Sequence, residues 1–217
     1  MKARYPSLCL GAFLLLGACE TAAAQSASVR PDLGNPKMID NWILDGNGEW
    51  RVLDGKLVLA KAGTVSGEIH RPAALAILKT EPFLRVTVET QLRMTAPLDS
   101  IRRDLIVVFG YESPTRFYYA HFGGITDAGN NGIFLVDAAD RRRIDPTTAE
   151  PQLKDQNWHH VRLERDGSSG KIDVYVDDSV TPVFSAVDTT IRSGKVGLGS
   201  LNDIGEFRDV VVTGSRN

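Results

Sequence analysis

Cysteine is nearly missing from this chain of 217 residues: only Cys9 and Cys19 occur, both within the first twenty. The rest therefore has no disulfide, no thiolate metal site and no cysteine nucleophile. A basic excess is missing as well. The 25 Lys and Arg stand against 27 Asp and Glu, a formal net charge of −2, which argues against nucleic acid as a partner. The densest basic run, Arg141-Arg142-Arg143, is flanked by Asp140 and Asp145 and reads as a solvated strand or turn. Aromatic residues are only 7% of the chain, too few for an extended aromatic stripe. Past the amino terminus, no apolar run approaches the roughly twenty residues a membrane-spanning helix needs. A phosphate-cradling loop is also lacking, because Gly194 to Gly199 sits in a strand pattern with no helix after it.

What the amino terminus does have is an address. Lys2 and Arg4 precede an apolar run, Leu8 to Ala18, in the layout of a secretory signal. Two cleavage sites compete. Leu16-Gly17-Ala18-Cys19 resembles the bacterial lipobox, whose cysteine is lipidated, and Glu20 after it favours the outer membrane by the same resemblance. Ala22-Ala23-Ala24 instead offers the small-x-small pattern of ordinary signal peptidase. Removing residues 1–18 takes Lys2 and Arg4 and no acid, leaving 23 bases against 27 acids, or −4. The expected organisation is a signal peptide over 1–18, a flexible tether over 19–40 and one domain over 41–217. The expected location is the cell envelope on the periplasmic side, with membrane contact only through a lipid on Cys19.

The body reads as strands. Leu84 to Met94 alternates, with Leu84, Val86, Val88, Thr90, Leu92 and Met94 on one face and Arg85, Thr87, Glu89, Gln91 and Arg93 on the other. Asp104 to Gly110 is nearly all apolar and suits a strand covered on both sides. Asp54-Gly55 suits a tight hairpin, and Asp166 to Gly170 a longer one. Arg71 to Lys79 is the one run of helix formers, either a short helix or a connection. Strands at about ten-residue spacing without intervening helices predict an all-β, two-sheet antiparallel jelly-roll sandwich.

Trp158-His159-His160-Val161, then a hairpin, then a strand ending in Val176-Asp177-Asp178, is similar to laminin G-like and other concanavalin A-like domains. So are the run Gly194-Lys195-Val196-Gly197-Leu198-Gly199 and the closing stretch Phe207 to Val212. Phe109-Gly110-Tyr111, followed by Phe117 to Phe122, resembles the central strand pair of a bacterial branch named for 3-keto-disaccharide hydrolases. The likeness spans roughly residues 42 to 214. It implies a jelly-roll fold and a role among sugars, and fold alone leaves the activity open.

Chemistry has few carriers. Phe117, Tyr119 and His121 are expected on one strand face, with Arg116 at the strand start and Tyr111 on the strand before. His121, Tyr119 and Arg116 are the catalytic candidates, for proton transfer and for holding a carboxylate. Tyr111, Tyr118 and Trp42 are candidate stacking surfaces for a sugar, while Trp50 and Trp158 read as core. His159 and His160 read as architectural, one facing inward and one outward. Asp177, Asp178, Asn202 and Asp203 are candidate ligands for a structural calcium ion. The E-x-D-x-x-E run of concanavalin A-like glucanases is missing. Three functions fit: a module binding a glycan or small sugar, a hydrolase or lyase acting on a glycoside or keto-disaccharide, and a structural or adhesion protein.

Overall fold

The predicted alternation becomes strands. The structure, a computed structural model, describes residues 25–65, 67–100, 103–146 and 149–216. The chain forms β1 (Ser26–Val29), β2 (Trp42–Gly46), β3 (Glu49–Leu53), β4 (Lys56–Lys61), β5 (Ala74–Leu78), β6 (Arg85–Met94), β7 (Asp104–Ser113) and β8 (Arg116–Gly123). It continues through β9 (Gly132–Asp137), β10 (Arg142–Arg143), β11 (His159–Asp166), β12 (Lys171–Val176), β13 (Phe184–Val187), β14 (Lys195–Ser200) and β15 (Gly205–Ser215). One sheet runs β13-β12-β11-β6-β15-β4-β3, with β1 added beside β15. The other runs β10-β9-β8-β7-β14-β5-β2. We call them the β6 sheet and the β8 sheet.

The expected turn at Asp54-Gly55 forms. Both residues have positive φ, 51° and 74°, which matches the twist of the strands it joins. Two expectations change. Ala74–Leu78 is a strand buried at every position, between β14 and β2. Its helix formers yield to a site covered on both faces, where packing outweighs intrinsic propensity. Residues 25–40 are not tether: β1 pairs with Val212 to Ser215, and Leu33 is buried. The signal peptide, both cysteines and the Ala22-Ala23-Ala24 site lie outside the described residues.

The main core fills the space between the sheets. Val88, Leu92, Val161, Leu163, Val174 and Phe207 from the β6 sheet meet Val107, Phe109, Tyr118, Phe122, Leu135 and Leu198 from the β8 sheet. Each such side chain contributes about 1.5–3 kcal/mol of burial. In β14, Gly197 and Gly199 permit close approach to β5: a Cβ on either would lie 2.6 or 2.5 Å from the carbonyl oxygen of Ala76 or Ala74.

The β8 sheet carries a second apolar cluster on its far side, made of Leu75, Ile77, Ile106, Val108, Tyr111, Phe117, Tyr119, Phe134 and Val136. The segment between β4 and β5 helps cover it, with Ile69 packed against the cluster. His70 N–H donates to Asp140 Oδ1 at 2.7 Å, and His70 O accepts from Arg141 N–H at 2.9 Å. The next residue, Arg71, forms an ion pair with Asp45 of β2 at 2.8 Å. Asp140 and Arg141 flank one edge of this sheet, and β2 is the other edge. Seven strands laid flat would span about 29 Å. Adjacent residues can bridge those edges only if the sheet is strongly curled around its second cluster.

Candidate functional site

His121 and Tyr119 do share a face, as the alternation predicts. They sit on the curled side of the β8 sheet, opposite Ile106 and Val108, their rings edge to face with centroids 6.2 Å apart. Both side chains are fully buried. His121 Nδ1 accepts the Asn131 N–H at 2.9 Å, which leaves its proton on Nε2, 3.4 Å from Asp104 Oδ2. Burial raises the Tyr119 phenol well above its ordinary pKa, and its oxygen accepts from Arg141 Nη1 at 3.0 Å.

Arg116 does not join them. It lies five positions from His121 along β8, about 16 Å of extended chain, and the alternation turns it to the other face. Its guanidinium is engaged by Asp137 and Glu112. The arginine that reaches Tyr119 is Arg141, which also lies 4.9 Å over the Phe134 ring. Arg143 pairs with buried Asp145 at 2.8 Å. Two of the three arginines read as solvated thus pack onto the β8 sheet. Only their distant partners could have revealed this.

The proposed stacking aromatics are core. Trp42 is 3% exposed, Tyr111 7% and Tyr118 0%. The Tyr111 hydroxyl donates to Asp45, and burial with the Asp45 charge raises its pKa far above the usual phenol range. Tyr118 points between the sheets, donates to Asp188 at 2.6 Å and is pushed up to about 12, chiefly by burial. Trp158, expected in the core, is half-buried, with Arg93 and Arg208 stacked 4.8 and 4.1 Å from its ring.

The acidic candidates separate into two turns. Asp177 and Asp178 follow β12, where Asp177 bonds His159 Nδ1 at 2.7 Å and Asp178 bonds His160 Nδ1 at 3.0 Å. Burial works against the charged form of His159, but its bonds to Asp177 and Asp155 outweigh that and raise its pKa. His159 lies opposite the inward Leu92, and His160 opposite the outward Gln91. Asn202 and Asp203 lie instead between β14 and β15, beside Asp104, whose carboxylate accepts from Leu201 N–H at 2.7 Å. Burial and the Asp104 charge push Asp203 up to about 6. Among the described residues, no group of three His, Cys, Asp or Glu is arranged to hold a metal.

An open polar face exists elsewhere, on the outside of the β6 sheet. Across it, Arg162 lies opposite Glu89, His160 opposite Gln91, Gln91 opposite Arg208, and Arg93 opposite Glu206. Arg208 donates to Gln91 Oε1 at 2.7 Å, and Arg93 to Glu206 at 2.5 Å. Arg162 lies 3.7 Å over the Tyr175 ring. Rings, guanidiniums and carboxylates alternate here with side chains held in place by neighbours, a surface able to donate and accept hydrogen bonds at many points.

Two stacked antiparallel sheets of this order define a concanavalin A-like jelly roll. Solved structures agree. The carbohydrate-binding module CBM66 of Bacillus subtilis matches with a TM-score of 0.56 at 15% identity, covering 78% of this chain and 93% of its own. Basic winged bean lectin, solved with Tn-antigen, matches at 0.56 and 13%, covering 90% and 100%. The GH43 protein BlXynB of Bacillus licheniformis matches at 0.58 and 10%, over 86% of this chain but 39% of its own. No family model and no curated protein sequence matches the chain.

Proposed function

We propose that this protein is a glycan-binding module of the bacterial cell envelope, without catalytic activity, exported and held to the membrane through a lipid on Cys19. The carrying observation is that His121 and Tyr119 are sealed within the curled sheet while the outside of the β6 sheet stays open and polar. A histidine whose Nδ1 is committed to a buried backbone N–H cannot shuttle a proton to a sugar in solvent. The lectin and binding-module likenesses support the same reading at the level of fold. With β1 starting at Ser26, residues 20–25 are all that separates Cys19 from the sheet, at most about 25 Å of chain. A lipid there would hold the domain close against the bilayer. The test is an array of oligosaccharides run beside a screen for released reducing or keto-sugar products. Binding without turnover is expected, and product release by the wild-type protein overturns the reading.

A hydrolase or lyase reading draws on the turn after β14, where Asp203 N–H donates to Ser200 Oγ, Ser200 Oγ donates to Asp104, and Asp104 lies 3.4 Å from His121. Burial there pushes the half-buried Asp203 carboxyl up to about 6. Such a group titrates where a general acid or base is useful. On that reading, Asp203→Asn abolishes any turnover that the screen detects.

A further inference from the structure

The outside of the β6 sheet holds a trough of about 290 Å³. Its floor is small: Thr87, with Thr213 opposite on β15 and Gly214 beside it. Glu164 lies opposite Thr87 on the other side, and Asp173 opposite Glu164. Arg85 and Lys171 close one end. Lys171 Nζ holds Asp173 at 2.7 Å, and Asp173 also accepts the Ser185 hydroxyl at 2.8 Å. Arg85 Nε lies 3.2 Å from Asp166. These polar ends are therefore aimed before any ligand arrives.

The charges cancel. Glu164, Asp166 and Asp173 face Arg85, Lys171 and the Arg162 that pairs with Glu164. Arg165 also borders the trough, but its guanidinium donates inward to Ile191 O at 2.7 Å. A ligand with a net charge gains nothing from such a balanced wall. A ligand rich in hydroxyls gains at every point, because carboxylates accept its O–H groups while ammonium and guanidinium groups donate to its oxygens.

The Arg162–Tyr175 stack forms a ridge, and beyond it lies a second hollow of about 210 Å³, bordered by His160, Asp178 and Ser179. Glu164 and His160 are four positions apart on β11, about 13 Å. Two hollows in line suit a chain of sugars better than a single ring.

We infer that the trough over Thr87 and Thr213, with the hollow beyond Tyr175, binds an uncharged oligosaccharide laid along β11. This rests on the glycan-module reading and names its site and ligand class. The probe is an array of neutral and uronate-bearing oligosaccharides, followed by titration of the tightest binder. Thr213→Trp fills the exposed floor, where a strand tolerates an aromatic residue. It should weaken binding at least tenfold, and Glu164→Gln several-fold, with unchanged melting temperature for both. Longer neutral oligosaccharides should bind more tightly than short ones. Glycan binding that neither substitution alters overturns the site and leaves the module reading standing. A preference for uronates overturns the ligand class. Absence of any binding by the wild-type protein defeats the module reading, and this inference falls with it.

Discussion

The two sheets turn opposite kinds of surface away from their shared core. Outward positions of β6 and β11 include Arg85, Thr87, Glu89, Gln91, Arg93, His160, Arg162, Glu164 and Asp166, all at least partly exposed. Outward positions of β7 and β8 include Ile106, Val108, Phe117, Tyr119 and His121, all fully buried. A sheet wet on one side keeps period two, whereas a sheet covered on both sides becomes continuously apolar. The difference marks where a ligand can reach: the β8 sheet has spent its outer surface on packing, and the β6 sheet has kept its own.

The sharpest way to break that contrast is to hollow out the covered side. Phe117→Ala removes a fully buried ring from the second cluster. It should cost about 3–5 kcal/mol in urea unfolding, as for large-to-small changes in a main core. A loss below about 1 kcal/mol would mean that the curled side is loosely packed and accessible.

The curl itself is open to a smaller test. Arg71→Ala breaks the ion pair with Asp45, whose carboxylate also accepts the Tyr111 hydroxyl. Both charged side chains are largely buried, so removing one leaves its partner poorly compensated. The expected cost is about 2 kcal/mol, with faster amide exchange along β2 and β5. Unchanged exchange there would show that the bridge from His70 to Arg71 does not hold the sheet's edges together.

Much of this architecture was legible because it is local. The alternation of Leu84 to Met94, the Asp54-Gly55 turn and the Trp158-His159-His160-Val161 strand each carry their signal within a few residues. So did the shared face of Phe117, Tyr119 and His121. What was not legible depends on partners far along the chain. Ala74–Leu78 has helix-forming residues and becomes a strand because β2 and β14 flank it. Ser26–Val29 carries no signal until β15 lies beside it. Arg141 looks solvated beside two other arginines, yet its partner Tyr119 lies 22 positions away. The aromatic candidates Trp42, Tyr111 and Tyr118 failed for the same reason: a ring that stacks on a sugar and a ring packed in a core, with a tyrosine hydroxyl bonded to a half-buried aspartate, look alike in sequence.

Two polar turns beside the C-terminal end of β6 should respond to pH in the same direction. Asp203 has its folded pKa raised to about 6 from an ordinary 3.8. The folded state therefore holds that proton more tightly, and stability falls as pH rises from about 4 to 6. Asp203→Asn should gain about 1 kcal/mol at pH 8, allowing for the group's half exposure, and nothing below pH 4. His159 is raised from 6.5, so its contribution is full below that value and fades as pH climbs through the folded pKa. Its Asp177 partner is more than half exposed. His159→Gln should therefore cost only about 0.5 kcal/mol at pH 5 and less at pH 9. Relative to wild type, both variants should gain stability as pH rises, and profiles running in opposite directions would show that one of the two carboxylate environments is misassigned.

The smallest effect is expected on the open face, and there a near-zero result is the informative one. Arg162→Ala removes the guanidinium over Tyr175 and the pair with Glu164. About a third of the Arg162 side chain and two fifths of the Glu164 side chain are exposed, so solvent screens both interactions. Stability should change by no more than about 0.5 kcal/mol. A loss of several kcal/mol would make this face a load-carrying surface like the curled one and remove its availability to a ligand. Near-neutral stability with altered glycan binding would separate the two sheets by role: one invested in folding, the other free for recognition.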